Sequence, residues 1–210
     1  MKAVLGLENG KYYVGEGFGV EGTSTGELVF TTQMGGYMEA LSDPSYKGQI
    51  LMFTYPLIGN YGVHPPDNFQ SSNVHALGCV VRELCKAPPA ATPSLGDYFA
   101  DHGLLGISGI DTRKLTIETR VNGTLGAALI VGDDNGEYAV ECARNQRSIT
   151  DVDLIPQVSC KEAYHIEGKG KRIAVLDLGV KRNMLASLKR RGADLYVFPP
   201  TTPVLISSRR

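Results

Sequence analysis

The chain has 210 residues, a formal net charge of −1 and 42% hydrophobic residues, which is the composition of a soluble globular protein with one large domain or one and a half. The near-neutral charge, with no dense basic patch, excludes electrostatic capture of nucleic acid or of an acidic membrane surface. No run approaches the roughly 18 apolar residues that span a bilayer, and the N-terminus is too soon interrupted to be a signal peptide. We therefore expect a cytoplasmic protein with no nucleic acid and no membrane as partner.

The first predicted elements form a β-hairpin. Lys2–Leu7 and Lys11–Phe18 are β-prone runs, and the Asn9-Gly10 pair between them is the strongest short hairpin signal. The glycine-rich stretch 15–22 that follows lacks the Lys-Ser/Thr ending of a P-loop and the spacing of a dinucleotide fingerprint. Close strand packing or turns therefore explain these glycines better than a phosphate site.

Two predicted strands, Glu27–Gln33 and Gln49–Tyr55, flank a loop of unusual chemistry. The loop contains paired glycines, a short helical patch at Tyr37–Leu41 and the turn Asp43-Pro44-Ser45-Tyr46. Proline fixes its own φ and disfavours helix at the preceding residue, and Asp and Ser side chains can bond neighbouring backbone amides. The turn therefore holds the hydroxyl of Ser45 rigidly between two strands, where loops often carry function. From spacing alone, a turn without any further role is the favoured interpretation.

The next predicted segment, Gly59–Asn73, is polar and proline-bearing, and it has the composition of a long surface loop. His64 and His75 lie near it, but each alone is more often structural or solvated than catalytic, since no nucleophile partner is evident. The mixture of strands and helices that follows predicts an α/β or α+β domain over the first ~150 residues. In order, these elements are strand His75–Leu84, loop Lys86–Pro93, helix Ser94–Asp101 with Ser94 as N-cap, strand Leu104–Ile110, helix Thr112–Arg120 capped by Asp111, strand Thr124–Val131 and helix Glu137–Arg147.

The residue composition and the predicted elements change in the last part of the chain. Residues 151–170 are mixed polar and are interpreted as a linker. Arg172–Leu178 is then a continuous apolar strand of the parallel-sheet type, Lys181–Arg191 an amphipathic helix, and Asp194–Phe198 the next strand. This is a βαβ unit. It contains no GxGxxG string, so a dinucleotide site is disfavoured.

The cysteines give no metal site and no obvious nucleophile. Cys79, Cys85, Cys142 and Cys160 form no CxxC pair, which argues against zinc. Cys79 stands in an apolar run and is expected to be a small buried hydrophobic residue. Free thiols are favoured over disulfides because the other features are cytosolic.

Five strings spread over almost the whole chain are long, ordered and specific: TTQMGGYMEALSDPSY, FTYPLIGNYG, VHALGCVVREL, GISGIDTRKLT and IAVLDLGVKRNMLASLKRRGADLYVFP. They resemble the small subunit of carbamoyl phosphate synthetase, the glutamine-hydrolysing chain. The resemblance implies an α/β fold in three parts. These are a small-subunit N-terminal domain of mixed strands and helices at 1–150, a linker at 151–170, and at 171–210 the truncated start, one βαβ unit, of a class I glutamine amidotransferase domain with a parallel sheet.

The resemblance also implies a function for the whole small subunit. In the family, a Cys-His-Glu triad hydrolyses glutamine, and the ammonia passes to the large subunit, which makes carbamoyl phosphate from ATP and bicarbonate for arginine and pyrimidine biosynthesis. The large subunit is thus the expected partner. ATP and a metal ion are expected there, and no cofactor or metal is expected in this chain. Ser45 matches the first-domain serine that reaches the bound glutamine, and Asp43, Pro44 and Tyr46 would hold it in position.

The string IDTRKL, at residues 110–115, leaves two interpretations open. Its charge pattern favours a capped surface helix with Arg113 and Lys114 in solvent. The resemblance raises a domain or subunit contact instead, and it assigns neither residue a catalytic role.

The sequence departs from the family after Phe198. The glutaminase domain should continue with an SNGPGDP-like oxyanion loop, a glycine-flanked cysteine on a strand–helix elbow, and later a histidine and a glutamate. None follows Phe198, and none of the four cysteines has that context. Because the cysteine needs an activating base and a strained turn, the 210-residue chain should not hydrolyse glutamine. The alternatives are a non-catalytic interaction or regulatory module that binds a synthetase large subunit and, more remotely, an unrelated nucleotide-binding protein.

Overall fold

The computed structural model describes residues 1–64, 69–89 and 92–203. The chain divides into two compact units, of which the first covers Met1–Val152 and the second begins at Asp153. No helix of these ranges is long and apolar enough to cross a membrane. Parts of three predicted segments lie outside the described residues, namely 65–68, 90–91 and 204–210.

Strands and short helices alternate along both units. The strands of the first unit are β1 (Lys2–Leu7), β2 (Tyr12–Gly19), β3 (Gly22–Thr31), β4 (Gln49–Phe53), β5 (Leu57–Ile58), β6 (Gly78–Val80), β7 (Glu83–Leu84), β8 (Leu105–Ser108) and β9 (Leu125–Val131). Its helices are α1 (Tyr37–Leu41), α2 (Leu95–Asp101), α3 (Thr112–Asn122) and α4 (Gly136–Arg144), with 3-10 turns at Pro44–Tyr46 and Ile149–Asp151. The second unit contains α5 (Ile155–Val158), β10 (Tyr164–Ile166), β11 (Arg172–Leu176), α6 (Arg182–Arg190) and β12 (Asp194–Phe198).

Seven strands of the first unit close into a barrel in the order β1-β2-β8-β6-β4-β3-β9. β3, β4, β6 and β8 run parallel to their neighbours within that group, and the remaining pairs are antiparallel. The prediction of mixed strands and helices is confirmed, but closure of the sheet was not predicted. Closure leaves no unpaired barrel edge.

The barrel interior holds one of the two large apolar clusters. Side chains of alternate residues point inward from neighbouring strands, such as Leu5 of β1, Ile50 and Met52 of β4, and Leu129 of β9, and all four are fully buried. Every residue of β9 is buried, because its outer side also packs against α4, where Ile130 meets Ala139. This two-sided burial explains why LGAALIV is a continuous apolar run rather than an alternating one.

Three local sequence signals, one hairpin turn and two helix caps, are confirmed by the structure. The turn at Asn9-Gly10 joins the antiparallel pair β1–β2, and Gly10 has φ 93°, which favours glycine. Ser94 caps α2 by accepting from the amide of Asp97 at 3.0 Å. Asp111 caps α3 by accepting from the amide of Lys114 at 3.0 Å.

Two predicted elements of the first unit differ from the structure. The strand predicted at His75–Leu84 is divided into β6 and β7, because the chain leaves the barrel after β6 and β7 pairs with β5 instead. The segment Gly59–Asn73 is not simply a surface loop, since Val63, Phe69 and Gln70 are buried. Its polar composition concealed these inward-facing side chains.

The second unit has a three-stranded sheet in the order β10-β12-β11. β11 and β12 are parallel and joined through α6, which confirms the predicted βαβ unit. Leu185 of α6 packs against Leu195 and Val197 of β12 in a small apolar cluster. The range predicted as a linker, 151–170, contains α5 and the strand β10, which pairs antiparallel with β12.

Candidate functional site

The turn that carries Ser45 lies in the connection between the parallel neighbours β3 and β4. After β3 the chain passes through Gly36, whose backbone is left-handed with φ 74° and ψ 36°, and enters α1. A glycine suits this position because a Cβ is disfavoured in the left-handed region. The 3-10 turn Pro44–Tyr46 then leads directly into β4. Ser45 thus lies near the end of the β3–β4 connection, shortly before β4 begins at Gln49.

Two stacked tyrosines anchor the beginning of α1. The hydroxyl of Tyr61 accepts from the amides of Gly36 at 2.6 Å and Tyr37 at 3.2 Å. The Tyr37 hydroxyl donates to the carbonyl oxygen of Gly62, and the two rings stack with centroids 4.3 Å apart. Burial, with a smaller contribution from Tyr61, raises the pKa of Tyr37 well above its ordinary value. This phenol therefore stays protonated and acts as a fixed donor.

The turn itself is held by its own backbone and by one carboxylate. Oδ1 of Asp43 accepts from the amide of Ser45 at 2.9 Å, and the carbonyl oxygen of Asp43 accepts from the amide of Tyr46 at 3.0 Å. Asp43 and Pro44 are buried, whereas Ser45 is exposed. Within the described part of the chain, the Ser45 hydroxyl makes no hydrogen bond. It is therefore available to donate to, or accept from, a substrate group.

His75 lies buried beside this turn. Its amide donates to the carbonyl oxygen of Leu41 at 2.9 Å. Burial lowers the pKa of His75, the positive charge of Lys47 lowers it further, and the negative charge of Asp43 opposes both. The imidazole is therefore neutral at neutral pH. His75 is a structural histidine, in agreement with the interpretation favoured from the sequence.

A cavity of about 180 Å³ opens near α1, lined by Met38, Glu39, Tyr61, His64 and Phe69. His64 is exposed and stacks on Tyr61 with ring centroids 5.7 Å apart. The lining of the cavity is mostly apolar, with the carboxylate of Glu39 and the imidazole of His64 among its polar groups. Ser45 does not line this cavity.

Two of the cysteines, Cys79 and Cys160, have surroundings that disfavour an activated thiol. All four are free, and Cys79 is fully buried, which raises its pKa well above the ordinary value and confirms its prediction as a small buried residue. Burial and the neighbouring carboxylate of Asp177 also raise the pKa of Cys160. A nucleophilic cysteine needs a lowered pKa instead. Among the described residues, no group of three His, Cys, Asp or Glu could hold a metal ion.

The helix of the IDTRKL string lies at the surface. Arg113 and Lys114 are exposed, and Nζ of Lys114 lies 5.8 Å from the ring centroid of Tyr13. The hydroxyl of Tyr13 donates to Oε2 of Glu118 at 2.7 Å. These contacts fasten α3 to β2, which fits a capped surface helix.

Comparison with known proteins decides the family. A family model described as "Carbamoyl-phosphate synthase small chain, CPSase domain" matches residues 5–129. The chain belongs to this family. Residues 5–129 include the Ser45 turn, five complete barrel strands and parts of β1 and β9, so the seven-stranded barrel is this chain's version of the CPSase domain.

Similar proteins support the same assignment over nearly the whole chain. The carbamoyl phosphate synthase small chain of Methanosarcina acetivorans is 57% identical over 96% of this chain and 58% of its own length. That of Archaeoglobus fulgidus is 46% identical over 97% of this chain and 57% of its own length. The pyrimidine-specific small chain of Halalkalibacterium halodurans is 43% identical over 95% of this chain and 55% of its own length.

The chain therefore spans a little over half the length of the curated relatives it matches. Among solved structures, an aminopeptidase from Aneurinibacillus sp. strain AM-1 covers 62% of this chain and 30% of its own, with 16% identity and a TM-score of 0.34. A similarity this low carries no argument about fold or function.

One structural feature of this CPSase domain has no signal in the sequence. Ser42, which directly precedes the Ser45 turn, is hydrogen-bonded to the segment 69–76. Ser42 precedes the turn and resembles any other small residue at a helix end. Its partners lie 28 and 29 residues further along the chain, so only the folded structure identifies the contact.

Proposed function

We propose that this chain is part of the small subunit of a glutamine-hydrolysing carbamoyl phosphate synthetase, and that Ser45 contacts bound glutamine. In this proposal the small subunit releases ammonia from glutamine and delivers it to the large subunit. The large subunit holds ATP and a metal ion and makes carbamoyl phosphate from ATP and bicarbonate. The product serves arginine and pyrimidine biosynthesis in the cytoplasm.

The observation that carries the proposal is the hydroxyl of Ser45, which is exposed on a fixed turn and makes no hydrogen bond to any residue that the structure describes. The Asp43 carboxylate satisfies the backbone amide of Ser45 at 2.9 Å, so the cap does not use the side chain. Pro44 limits the backbone further because its ring fixes φ. Because the backbone that carries this hydroxyl is already fixed, substrate binding has to order only the short serine side chain.

The second unit is proposed to be the start of the glutamine amidotransferase domain. The parallel pair β11–β12 with α6 is the βαβ arrangement that such a domain requires. Residues 171–210 carry this part of the proposal and 151–170 the preceding connection.

The test uses the complete small subunit that carries this sequence, assembled with its large subunit. Ser45→Ala should raise the KM for glutamine about 2- to 13-fold, which is the value of one hydrogen bond. Synthesis from added ammonia should not change, because ammonia bypasses the glutamine site. Ser148→Ala is the matched control, since Ser148 is another exposed serine beside a 3-10 turn. An unchanged glutamine KM for Ser45→Ala would show that Ser45 is only a turn residue.

A narrower proposal concerns the 210 residues on their own. Because no cysteine here has the environment of a nucleophile, we expect a large subunit combined with this chain to use ammonia but not glutamine. This outcome also fits the second candidate function, a non-catalytic module that binds a large subunit. Synthesis from glutamine by the large subunit combined with this chain would contradict both the narrower proposal and the non-catalytic module.

A further inference from the structure

Ser42 occupies the centre of a buried hydrogen-bond network directly before the Ser45 turn. Its side chain has no exposed surface. Its Oγ donates to the carbonyl oxygen of Met38 at 2.6 Å and accepts from the amide of Gln70 at 2.9 Å. Its own carbonyl oxygen accepts from the hydroxyl of Ser71 at 2.8 Å. One residue thus joins the end of α1 to a segment far along the chain.

The preceding residue extends this connection. The carbonyl oxygen of Leu41 accepts from the amides of His75 at 2.9 Å and Ala76 at 3.3 Å. Segment 69–76 is therefore bound to Leu41 and Ser42 by four hydrogen bonds. Oε1 of Gln70 is buried and has no hydrogen-bond partner in the described structure, which costs stability. The bonds to Leu41 and Ser42 offset this cost and keep the segment in place.

The path from Ser42 to Ser45 is short and stiff. The amide of Asp43 donates to the carbonyl oxygen of Ala40 at 3.1 Å, Pro44 has a fixed φ, and Asp43 holds the Ser45 amide. A displacement of Ser42 is therefore transmitted to Ser45 rather than absorbed by a flexible linker. An error of about 1 Å in a substrate contact can reduce activity by as much as 100-fold.

We propose that Ser42 is a positioning residue that fixes the Ser45 turn by linking α1 to segment 69–76. Ser42 is fully buried and does not touch substrate. It acts through Ser45, and its effect on glutamine rests on the function proposed above. A hydroxyl is required because this atom both donates to Met38 and accepts from Gln70, which an alanine cannot do.

The first test measures the hydrogen bonding of the Ser45 turn itself and does not depend on the proposed function. Amide hydrogen exchange is measured in the 210-residue chain and in its Ser42→Ala variant. Exchange at the amides of Gln70 and Ser45 should become about 2- to 13-fold faster, which corresponds to one lost hydrogen bond. Unchanged exchange at both amides would overturn the proposal. Ser42→Thr keeps the hydroxyl and should restore slow exchange.

The control for this measurement is Thr119→Ala. Thr119 is also buried in a helix, and its hydroxyl donates to the carbonyl oxygen of Leu115 at 2.9 Å, four residues earlier, as Ser42 does with Met38. No hydrogen bond links Thr119 to segment 69–76 in the described structure. Thr119→Ala should therefore leave exchange at Gln70 and Ser45 unchanged. If Thr119→Ala and Ser42→Ala accelerate exchange equally, the effect of Ser42→Ala is a general loss of stability, and Ser42 does not position the turn.

The second test is a double-mutant cycle in the assembled enzyme. Ser42→Ala alone should raise the glutamine KM while ammonia-dependent synthesis stays unchanged. In a Ser45→Ala background it should have no further effect, because the contact it positions is already gone. Fully additive effects would overturn positioning through Ser45. If Ser45→Ala alone leaves KM unchanged, the proposed function fails, and hydrogen exchange still decides whether Ser42 fixes the turn.

A milder variant covers the case in which Ser42→Ala does not fold. Ser71→Ala removes a half-buried hydroxyl that lies 2.8 Å from the carbonyl oxygen of Ser42 and 2.8 Å from that of Asn73. It should accelerate exchange at Gln70 in the same direction but by less, because the Ser42 hydroxyl still accepts from Gln70. No acceleration would contradict the network described here.

Discussion

The amide of Ser45 donates a 2.9 Å hydrogen bond to Oδ1 of Asp43. Asp43 is buried, with 8% of its surface exposed, whereas Ser45 is exposed. The buried Asp43 carboxylate therefore accepts the hydrogen bond from the turn amide, and the exposed Ser45 side chain takes no part in this bond. Asp43 thus fixes the backbone of the turn that carries the Ser45 hydroxyl.

The first prediction concerns the Asp43 cap. Asp43→Ala should lower the free energy of unfolding by about 0.5–2 kcal/mol, because it removes an acceptor from a turn amide. Asp43→Asn keeps an oxygen at the same place and should lose less. Urea unfolding of the three proteins measures the difference.

A control separates this local effect from a general loss of stability. Asp111→Ala removes a similar cap, since Asp111 accepts from Lys114 at 3.0 Å on α3. Both alanine variants should be destabilised, but only Asp43→Ala should raise the glutamine KM of the assembled enzyme. Equal effects on KM would argue against a special role of the Ser45 turn.

Features set by neighbours in sequence could be predicted, because their physical causes are local. The hairpin at Asn9-Gly10 follows from backbone conformations that glycine and asparagine tolerate. The caps Ser94 and Asp111 follow from a side-chain oxygen that precedes a helix by a few residues. The βαβ unit of the second half follows in the same way from strand and helix periodicities.

Features that depend on distant pairs could not be predicted. β1 pairs with β9, so that Leu5 lies beside Leu129. The residue pattern within either strand does not indicate which strand it pairs with. The closed barrel is the sum of such pairings. The contact of Ser42 with Gln70 is of the same kind. The Asp-Pro-Ser turn could be predicted from its local composition, whereas the glutamine contact of Ser45 is implied only by the family resemblance, and Ser42 has neither signal.

The second prediction concerns acid stability through His75. Its pKa is lowered from the ordinary value of 6.5 in the folded chain, mainly by burial and also by Lys47, with Asp43 opposing. The unfolded chain therefore binds this proton first as the pH falls below about 6.5, and stability is lost there. The loss is limited to about 1.4 kcal/mol per pH unit for one proton.

Urea unfolding at pH 7.5 and pH 5.5 tests this effect. The original chain should lose more stability between these values than His75→Gln, which cannot take up the proton. Lys47→Met should reduce the loss, because it removes a positive charge that opposes protonation of His75. Identical pH dependence of the original chain and His75→Gln would contradict this account.

The third prediction concerns Gly6 of β1. A Cβ at this position would lie 2.3 Å from the carbonyl carbon of Ala139 and 2.5 Å from the amide nitrogen of Val140, both in the backbone of α4. Since a helix backbone cannot move aside cheaply, Gly6→Ala should destabilise the chain by about 1–3 kcal/mol. Gly35→Ala is the control, because nothing lies within 4 Å of its Cβ position. It should be neutral or slightly stabilising, and thermal unfolding of both variants decides the matter.

The fourth prediction concerns the ion pair between Lys11, the residue before β2, and Glu118 of α3. The hydrogen bond from Lys11 lowers the pKa of Glu118, against the opposing effect of burial. The stabilisation by this ion pair is therefore present above the ordinary glutamate pKa of about 4.5. It is lost as the pH falls through the lower pKa that Glu118 has in the folded chain. Glu118→Gln should lower the free energy of unfolding at pH 7 by at most about 1 kcal/mol.

This difference between the original chain and Glu118→Gln should shrink when both are unfolded at about pH 3, because the carboxylate is then increasingly protonated in both states. Glu16→Gln is the matched control. Glu16 pairs with Lys86 at 2.8 Å, but its side chain is 56% exposed, compared with 12% for Glu118. Water and salt screen the exposed pair more strongly, so Glu16→Gln should cost less at pH 7. A larger cost for Glu16→Gln would show that the low exposure of Glu118 does not strengthen its pair with Lys11.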